Sequence, residues 1–153
     1  MMMMMSLLQA MAATASGLDT HSARIRIHAS NMANLGTPGY VRQIPVLGET
    51  AKLPFSEVMG LAQKQGANAT LGQGGGAGVQ LLGTVDDPTP GKRLYMPNHP
   101  EADKEGYVTM SNTNPLGDMA DALVANRMYE ANLSMYGILK SMASRAIELG
   151  SGR

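Results

Sequence analysis

The stretch Pro115–Leu149, PLGDMADALVANRMYEANLSMYGILKSMASRAIEL, decides the fold. Ala120, Val124, Met128, Ala131, Met135, Ile138 and Met142 step through it by threes and fours, the spacing that lines side chains along one face of an α-helix. Leu116, Met119, Leu123, Leu133, Tyr136, Leu139 and Ile147 widen that apolar face. Asp118 and Asp121 fall in the first turns, where the positive end of the helix dipole favours acids. Gly150 and Gly152 supply the stop. A helix of this length spans on the order of 50 Å, longer than a small domain needs. The spacing therefore predicts a rod-like element.

The N-terminal segment has a matching period. Met4, Met11, Leu18, Ile25 and Met32 recur every seven residues, with Leu8, Ala15, Ser22 and Ala29 in the second seam position. Gly17 interrupts the pattern and costs about 1 kcal/mol relative to Ala in a helix. A partner helix is then the expected source of stability. Asn34-Leu35-Gly36, followed by Pro38, ends the segment.

Between the two lies a Gly- and Pro-rich middle. Strand-like runs occur at Tyr40–Leu47, Val79–Val85, Arg93–Met96 and Tyr107–Met110, and turn chemistry at Asp86-Asp87-Pro88 and Pro97-Asn98-His99-Pro100. Residues 66–78 are low in complexity and predict a flexible loop. The expected class is α+β: long N- and C-terminal helices packed as a coiled-coil-like pair, carrying a small β-rich insert. The expected segments are an N-terminal helix in residues 1–38, the insert in 39–113 and the C-terminal helix in 114–153.

Composition narrows the function. The chain has 153 residues, twelve Lys+Arg against twelve Asp+Glu, and no cysteine. A formal net charge of zero argues against nucleic-acid binding by bulk positive charge and against a polybasic membrane anchor. The absence of cysteine excludes disulfides, thiolate metal sites and a cysteine nucleophile. There are 14 methionines but one phenylalanine and no tryptophan, so large rigid anchors for a closed core are scarce. This points to a subunit that completes its packing with partners. Met1–Met5 are apolar, but the first basic residue is Arg24, and Asp19, Thr20 and His21 break any long apolar run. No cleavable signal peptide and no membrane span are expected from this start.

Motifs for chemistry are weak. Gly72-Gln73-Gly74-Gly75-Gly76-Ala77 fits a loose dinucleotide pattern, but a strand-like run follows it where a helix is needed. Glu101, Asp103 and Glu105 resemble the start of a calcium loop, yet Asn112 stands where the closing Glu belongs. His21 and His28 are two helical turns apart, too far to ligate one metal, and are expected on the helix surface together with Arg24 and Arg26. No spacing supports a Ser/His/Asp set, and the methionine stripe reads as packing. No catalytic residue, metal ligand or cofactor is expected.

The two seams remain. Met11, Leu18, Ile25 and Met32 form the first, and Val124, Met128, Ala131, Met135, Ile138 and Met142 the second. Periodicity alone serves an intramolecular helical hairpin as well as an interface shared between subunits. The poverty in aromatics and the helix length favour assembly. The alternative is a soluble helical adaptor that binds one partner protein.

Ser16–Tyr40 reads SGLDTHSARIRIHASNMANLGTPGY. Its Ala29-Ser30-Asn31-Met32-Ala33-Asn34, then Thr37-Pro38-Gly39-Tyr40, resembles the N-terminal signature of bacterial flagellar rod and hook proteins. Ala125, Arg127, Tyr129, Ala131 and Asn132 are similar to the C-terminal helix of that family, and Asp86–Asn112 is similar to the middle of a short proximal-rod member. The resemblance implies a structural subunit of the proximal rod, with both terminal helices in a tubular, torque-transmitting axle around a central export channel. The implied partners are other rod subunits, further copies of the chain, and the ring or export gate at the rod base. The implied location is the periplasmic rod of the basal body, reached by flagellar type III export without a cleaved signal. Asn31 and Asn34 are suited to cap a helix end and to bond across to a neighbouring backbone, and are expected in the assembly interface with Met11, Leu18, Ile25 and Met32. Thr37-Pro38-Gly39 forces a turn, and Tyr40 places a ring against the seam with its hydroxyl in water. These residues set the angle between helix and insert.

Overall fold

The computed structural model describes residues 2–50 and 78–150. The element order is α1 (Met2–Ala33), β1 (Gln43–Glu49), β2 (Val79–Asp86), β3 (Arg93–Tyr95), β4 (Tyr107–Thr109) and α2 (Pro115–Gly150). Among the described residues the architecture is α+β, with two long terminal helices of 32 and 36 residues and a small insert that includes two two-stranded sheets. Residues 66–77 of the expected flexible loop 66–78, with the glycine motif at 72–77, lie outside the described residues.

Local chemistry sets the ends of both helices. The Asn34 backbone N–H and side-chain amide both donate to the Ser30 carbonyl, at 3.1 and 2.9 Å, closing the last turn of α1. At the start of α2, Asn114 accepts from the Gly117 N–H through its side chain (3.2 Å) and from the Asp118 N–H through its carbonyl (2.9 Å). Pro115 follows it at the first helical position, where a missing N–H costs nothing.

Strands β1 and β2 form one sheet. The Asp87 N–H meets the Arg42 carbonyl at one end and the Thr50 N–H meets the Gly78 carbonyl at the other, each at 2.8 Å, so the strands run antiparallel. Strands β3 and β4 pair antiparallel, with Arg93 opposite Thr109, Leu94 opposite Val108 and Tyr95 opposite Tyr107. The Tyr95 and Tyr107 rings meet edge-on at 5.2 Å, and the Arg93 guanidinium lies 4.9 Å from the centre of the Tyr107 ring. Arg93 also pairs with Asp103, whose other carboxylate oxygen accepts the Glu105 and Tyr107 N–H groups and shapes the connecting turn.

The chain divides into two compact units. The first contains Met1–Thr20, Gly48–Gln80 and Glu130–Arg153. Here Gly17 lies against Asn132 so closely that a Cβ would sit 2.6 Å from the Asn132 amide nitrogen. The glycine that weakens the helix locally is thus the point where α2 approaches it. The Ser16 hydroxyl accepts the Val79 N–H at 3.2 Å, and the Thr20 hydroxyl donates to the Val79 carbonyl at 2.9 Å. Two side chains of α1 thereby satisfy both backbone groups at the first residue of β2.

The second unit contains His21–Leu47 and Leu81–Tyr129. Among the described residues, only Val108 and Ala125 are buried hydrophobics. The buried polar residues described in this unit are His28, Asn31, Ser111 and Asp118, and Thr20 is buried in the first unit. The interior is therefore held by satisfied hydrogen bonds more than by apolar volume, as expected of a chain poor in aromatics.

Gly39 has φ +68°, in the left-handed region, and its N–H donates to the Thr109 carbonyl at 2.9 Å. A side chain there meets open space, so its cost is backbone strain alone. Gly39→Val is expected to destabilise the second unit by about 1–2 kcal/mol, with Gly39→Ala at the lower end. Urea midpoints of the two variants check the order.

Candidate functional site, a polar joint and an exposed helix row

The joint is built around Asp118, fully buried in the first turn of α2. Arg42, just before β1, reaches it in a fork: Nε donates to Oδ2 at 3.0 Å and an outer nitrogen to Oδ1 at 3.2 Å. His28 Nδ1 lies 2.9 Å from Oδ1, and the Asn31 amide donates to the same oxygen at 3.1 Å. The carboxylate can only accept, so His28 Nδ1 carries the hydrogen. His28 Nε2 is buried and has no hydrogen-bond partner among the described residues.

Asn31 is fully buried and uses its whole hydrogen-bonding capacity. Its amide nitrogen donates to the Gln43 carbonyl (2.8 Å) as well as to Asp118. Its oxygen accepts the Gln43 N–H (3.0 Å) and the Tyr40 hydroxyl (3.0 Å). The side-chain amide thus pairs with Gln43 as the backbone of a neighbouring strand would. The turn Thr37-Pro38-Gly39-Tyr40 returns the chain so that Tyr40 and Arg42 both face this cluster.

Arg42 extends the joint to the end of β2. It pairs with Asp87 at 3.4 Å and with Asp121 at 3.7 Å, while its own N–H donates to Asn112 Oδ1 at 2.6 Å. The Asn112 amide donates to the Asp87 and Thr89 carbonyls at 3.0 and 2.8 Å. Segments from α1, the β1 lead-in, the β2 exit and α2 therefore meet on one arginine and one carboxylate.

Burial alone would raise the Asp118 carboxyl, but hydrogen bonds from Arg42, His28 and Asn31, with the Arg42 charge, outweigh it and hold the group below the ordinary carboxylate value. The Asp118 hydrogen bond correspondingly pushes Arg42 up, against its own desolvation. The Thr89 hydroxyl and N–H, followed by Arg42, hold Asp87 down. An acid lowered in this way stabilises the fold fully above its unfolded value, about 3.9 for Asp. That contribution disappears as pH falls through the folded value. Protection of the Gln43 amide from hydrogen exchange is therefore expected to weaken below about pH 4. Asp118→Asn should flatten this dependence.

Three sequence-based expectations are corrected here. His28 is interior, not on the helix surface. Asp118 is a buried ion-pair partner, not only a helix-dipole acid. The Tyr40 hydroxyl donates to Asn31 within the chain. Arg42 and Asn112 carried no local signal of their roles, because each acts on groups 23 to 76 residues away, and Asp87 showed only its turn role, not its pairing with Arg42, 45 residues away.

The helix rows are placed differently on the two helices. On α1, Met11, Leu18, Ile25, Met32 and Asn34 are partly covered within the chain. On α2, Val124, Met128, Met135, Ile138 and Met142 are 48–55% exposed, and Ala131 is exposed too. The covered positions of α2 are instead Asp118, Ala122, Ala125 and Tyr129 in the second unit, and Asn132, Tyr136, Leu139 and Ala143 in the first. At 3.6 residues per turn, the exposed row lies about a quarter turn around the helix from the covered one.

A family model for the C-terminal region of the flagellar basal body rod FlgEFG proteins matches residues 104–149. The chain is similar to the flagellar basal-body rod protein FlgC of Yersinia enterocolitica, 33% identical over 153 residues and covering 95% of this chain and 99% of the relative. It is similar to FlgC of Salmonella typhimurium, 32% identical over 146 residues, with 95% and 99% covered. It is also similar to FlgC of Bacillus subtilis, 32% identical over 145 residues, with 90% and 93% covered. Among the described residues, no helix is long and apolar enough to cross a membrane.

Proposed function

The chain belongs to the FlgC family of flagellar basal-body rod proteins, as a structural subunit of that rod, and from that premise we propose that the exposed row of α2 is its assembly interface. The observation that carries this reading is the half-exposed row Val124, Met128, Ala131, Met135, Ile138 and Met142, on a chain with only two buried hydrophobics among its described residues. Neighbouring helices that cover this row would supply the apolar burial that the chain lacks, at about 25 cal/mol per Å².

In this reading residues 1–38 and 114–153 form the rod core, and residues 39–113 lie outside it. Met11, Leu18, Ile25, Met32 and Asn34 contribute the second side of the contact. Asn31 acts inside the chain, holding the joint against which Thr37, Pro38, Gly39 and Tyr40 turn. The partners are other rod subunits and further copies of the chain, joined by heterologous contacts that propagate along a helical lattice. The subunit sits in the proximal, periplasmic rod and meets the ring or export gate at the rod base. It leaves a central channel open, transmits torque through packed helices and catalyses no reaction. It is exported without a cleaved signal.

Deleting the gene and viewing basal bodies by electron microscopy tests the reading. Rings without a rod, restored together with swimming by the wild-type chain, are expected. Intact basal bodies and normal motility would instead favour a soluble adaptor.

A further inference from the structure

Fourteen methionines are an unusual investment for a chain of 153 residues. Met135 and Met142 lie on the first unit's part of α2, seven residues apart with Ile138 between them. All three are about half exposed. Seven residues are close to two helical turns, so the two thioethers lie along one line of the helix surface. Among the described residues neither is fully covered, since the covered row of this segment runs through Asn132, Tyr136, Leu139 and Ala143.

We propose that Met135 and Met142 are oxidation sites that switch off the assembly competence of the unincorporated subunit. The inference rests on the reading of this row as the assembly face. The oxidant is a two-electron oxygen donor such as hydrogen peroxide. A sulfur lone pair attacks one peroxide oxygen, the O–O bond breaks and an S–O bond forms. The sulfur loses two electrons, and the remaining oxygen takes up the protons and leaves as water. The product, methionine sulfoxide, is polar and chiral where the thioether was apolar and pliable. Two sulfoxides place two strong acceptors in a row whose neighbouring members, Ala131 and Ile138, are apolar. Once a neighbouring helix covers the row, the sulfurs lose contact with the oxidant. Sensitivity is therefore confined to the interval before incorporation, and methionine sulfoxide reductases can reverse the change.

The test uses the full chain in cells that lack their own copy. Wild type and the double variant Met135→Leu/Met142→Leu are induced with and without sublethal hydrogen peroxide. New rods are counted by electron microscopy, and sulfoxide is located by mass spectrometry of the unassembled chain. Each chain is scored against its own rod count without peroxide, because the double variant alters the assembly row itself. With peroxide, wild-type rods should fall on the order of tenfold relative to the double variant, the factor produced by about 1.4 kcal/mol of lost contact free energy. Equal rod numbers with sulfoxide present at both positions would overturn the proposal, as would thioethers left unoxidised at both while Met119 is oxidised. If the double variant fails to accumulate, the single variants provide the same contrast. Met135→Asp, without peroxide, tests the assembly face by itself. If it builds rods normally, the underlying reading fails. If it blocks rods while oxidation has no effect, only the switch fails.

Discussion

Asp118→Ala is expected to abolish swimming and to lower the stability of the second unit by about 3–5 kcal/mol, the cost of breaking a buried ion pair on one side. The substitution removes the forked partner of Arg42, leaving it only the longer Asp87 and Asp121 contacts, and strands the His28 Nδ1–H and one Asn31 amide hydrogen beside a fully buried position. No apolar reserve offsets the loss, because Val108 and Ala125 are the only buried hydrophobics described. Against a typical domain stability of about 5–15 kcal/mol, this removes a large part of the total. Hydrogen exchange should show the release first at Gln43, whose N–H depends on Asn31. An Asp118→Ala chain with an unchanged urea midpoint and normal swimming would remove the joint from any role in holding the subunit together.

Met135→Asp is expected to separate folding from assembly. Met135 is half exposed in the chain by itself, so a charge there remains hydrated, and the subunit's own stability should change by no more than about 0.5 kcal/mol. In the rod the same carboxylate would be covered without a partner, at a cost of several kcal/mol. The purified variant should therefore match wild type in helicity and urea midpoint, yet fail to restore rods in a deletion strain. Met128→Asp, one heptad earlier, should behave alike. Normal incorporation of either variant would move the interface off this row. Loss of folding in either would mean that the chain itself covers the row.

The contrast between the two substitutions shows what local sequence can express. The period of three and four through Val124 to Met142 predicts a long helix, and α2 runs from Pro115 to Gly150. Asn34 and Gly39 mark the end of α1 and the turn after it, and the structure has them capping Ser30 and adopting positive φ. All four strand-like runs overlap the observed strands within a few residues. These features depend on neighbours in sequence, on backbone conformations that few residues tolerate, and on alternation that a strand requires.

Asp118 and His28 show where that legibility stops. An aspartate in the first turn of a helix always satisfies the helix dipole, so the residue looks fully explained before its partners are known. A histidine on a helix seven residues after another looks like surface. Their pairing spans 90 residues and leaves no periodic trace. The apolar stripe of α2 is also ambiguous in sequence, because it runs beside small and polar positions that pack equally well.

Local patterns in the chain are enough to specify two long helices, a β-rich insert, the turn after the first helix, and a stripe of apolar side chains along each helix. Long-range packing is what covers Asp118, Ala125, Asn132 and Tyr136 of α2 and leaves its methionine row outside. The physical reason is that periodicity records which side chains share a face, whereas covering a face depends on complementary groups brought from elsewhere. Gly17 admits Asn132 closely, and Arg42, His28 and Asn31 neutralise and saturate Asp118. Those contacts draw the polar, small-residue face inward, although the neighbouring face is the more apolar of the two.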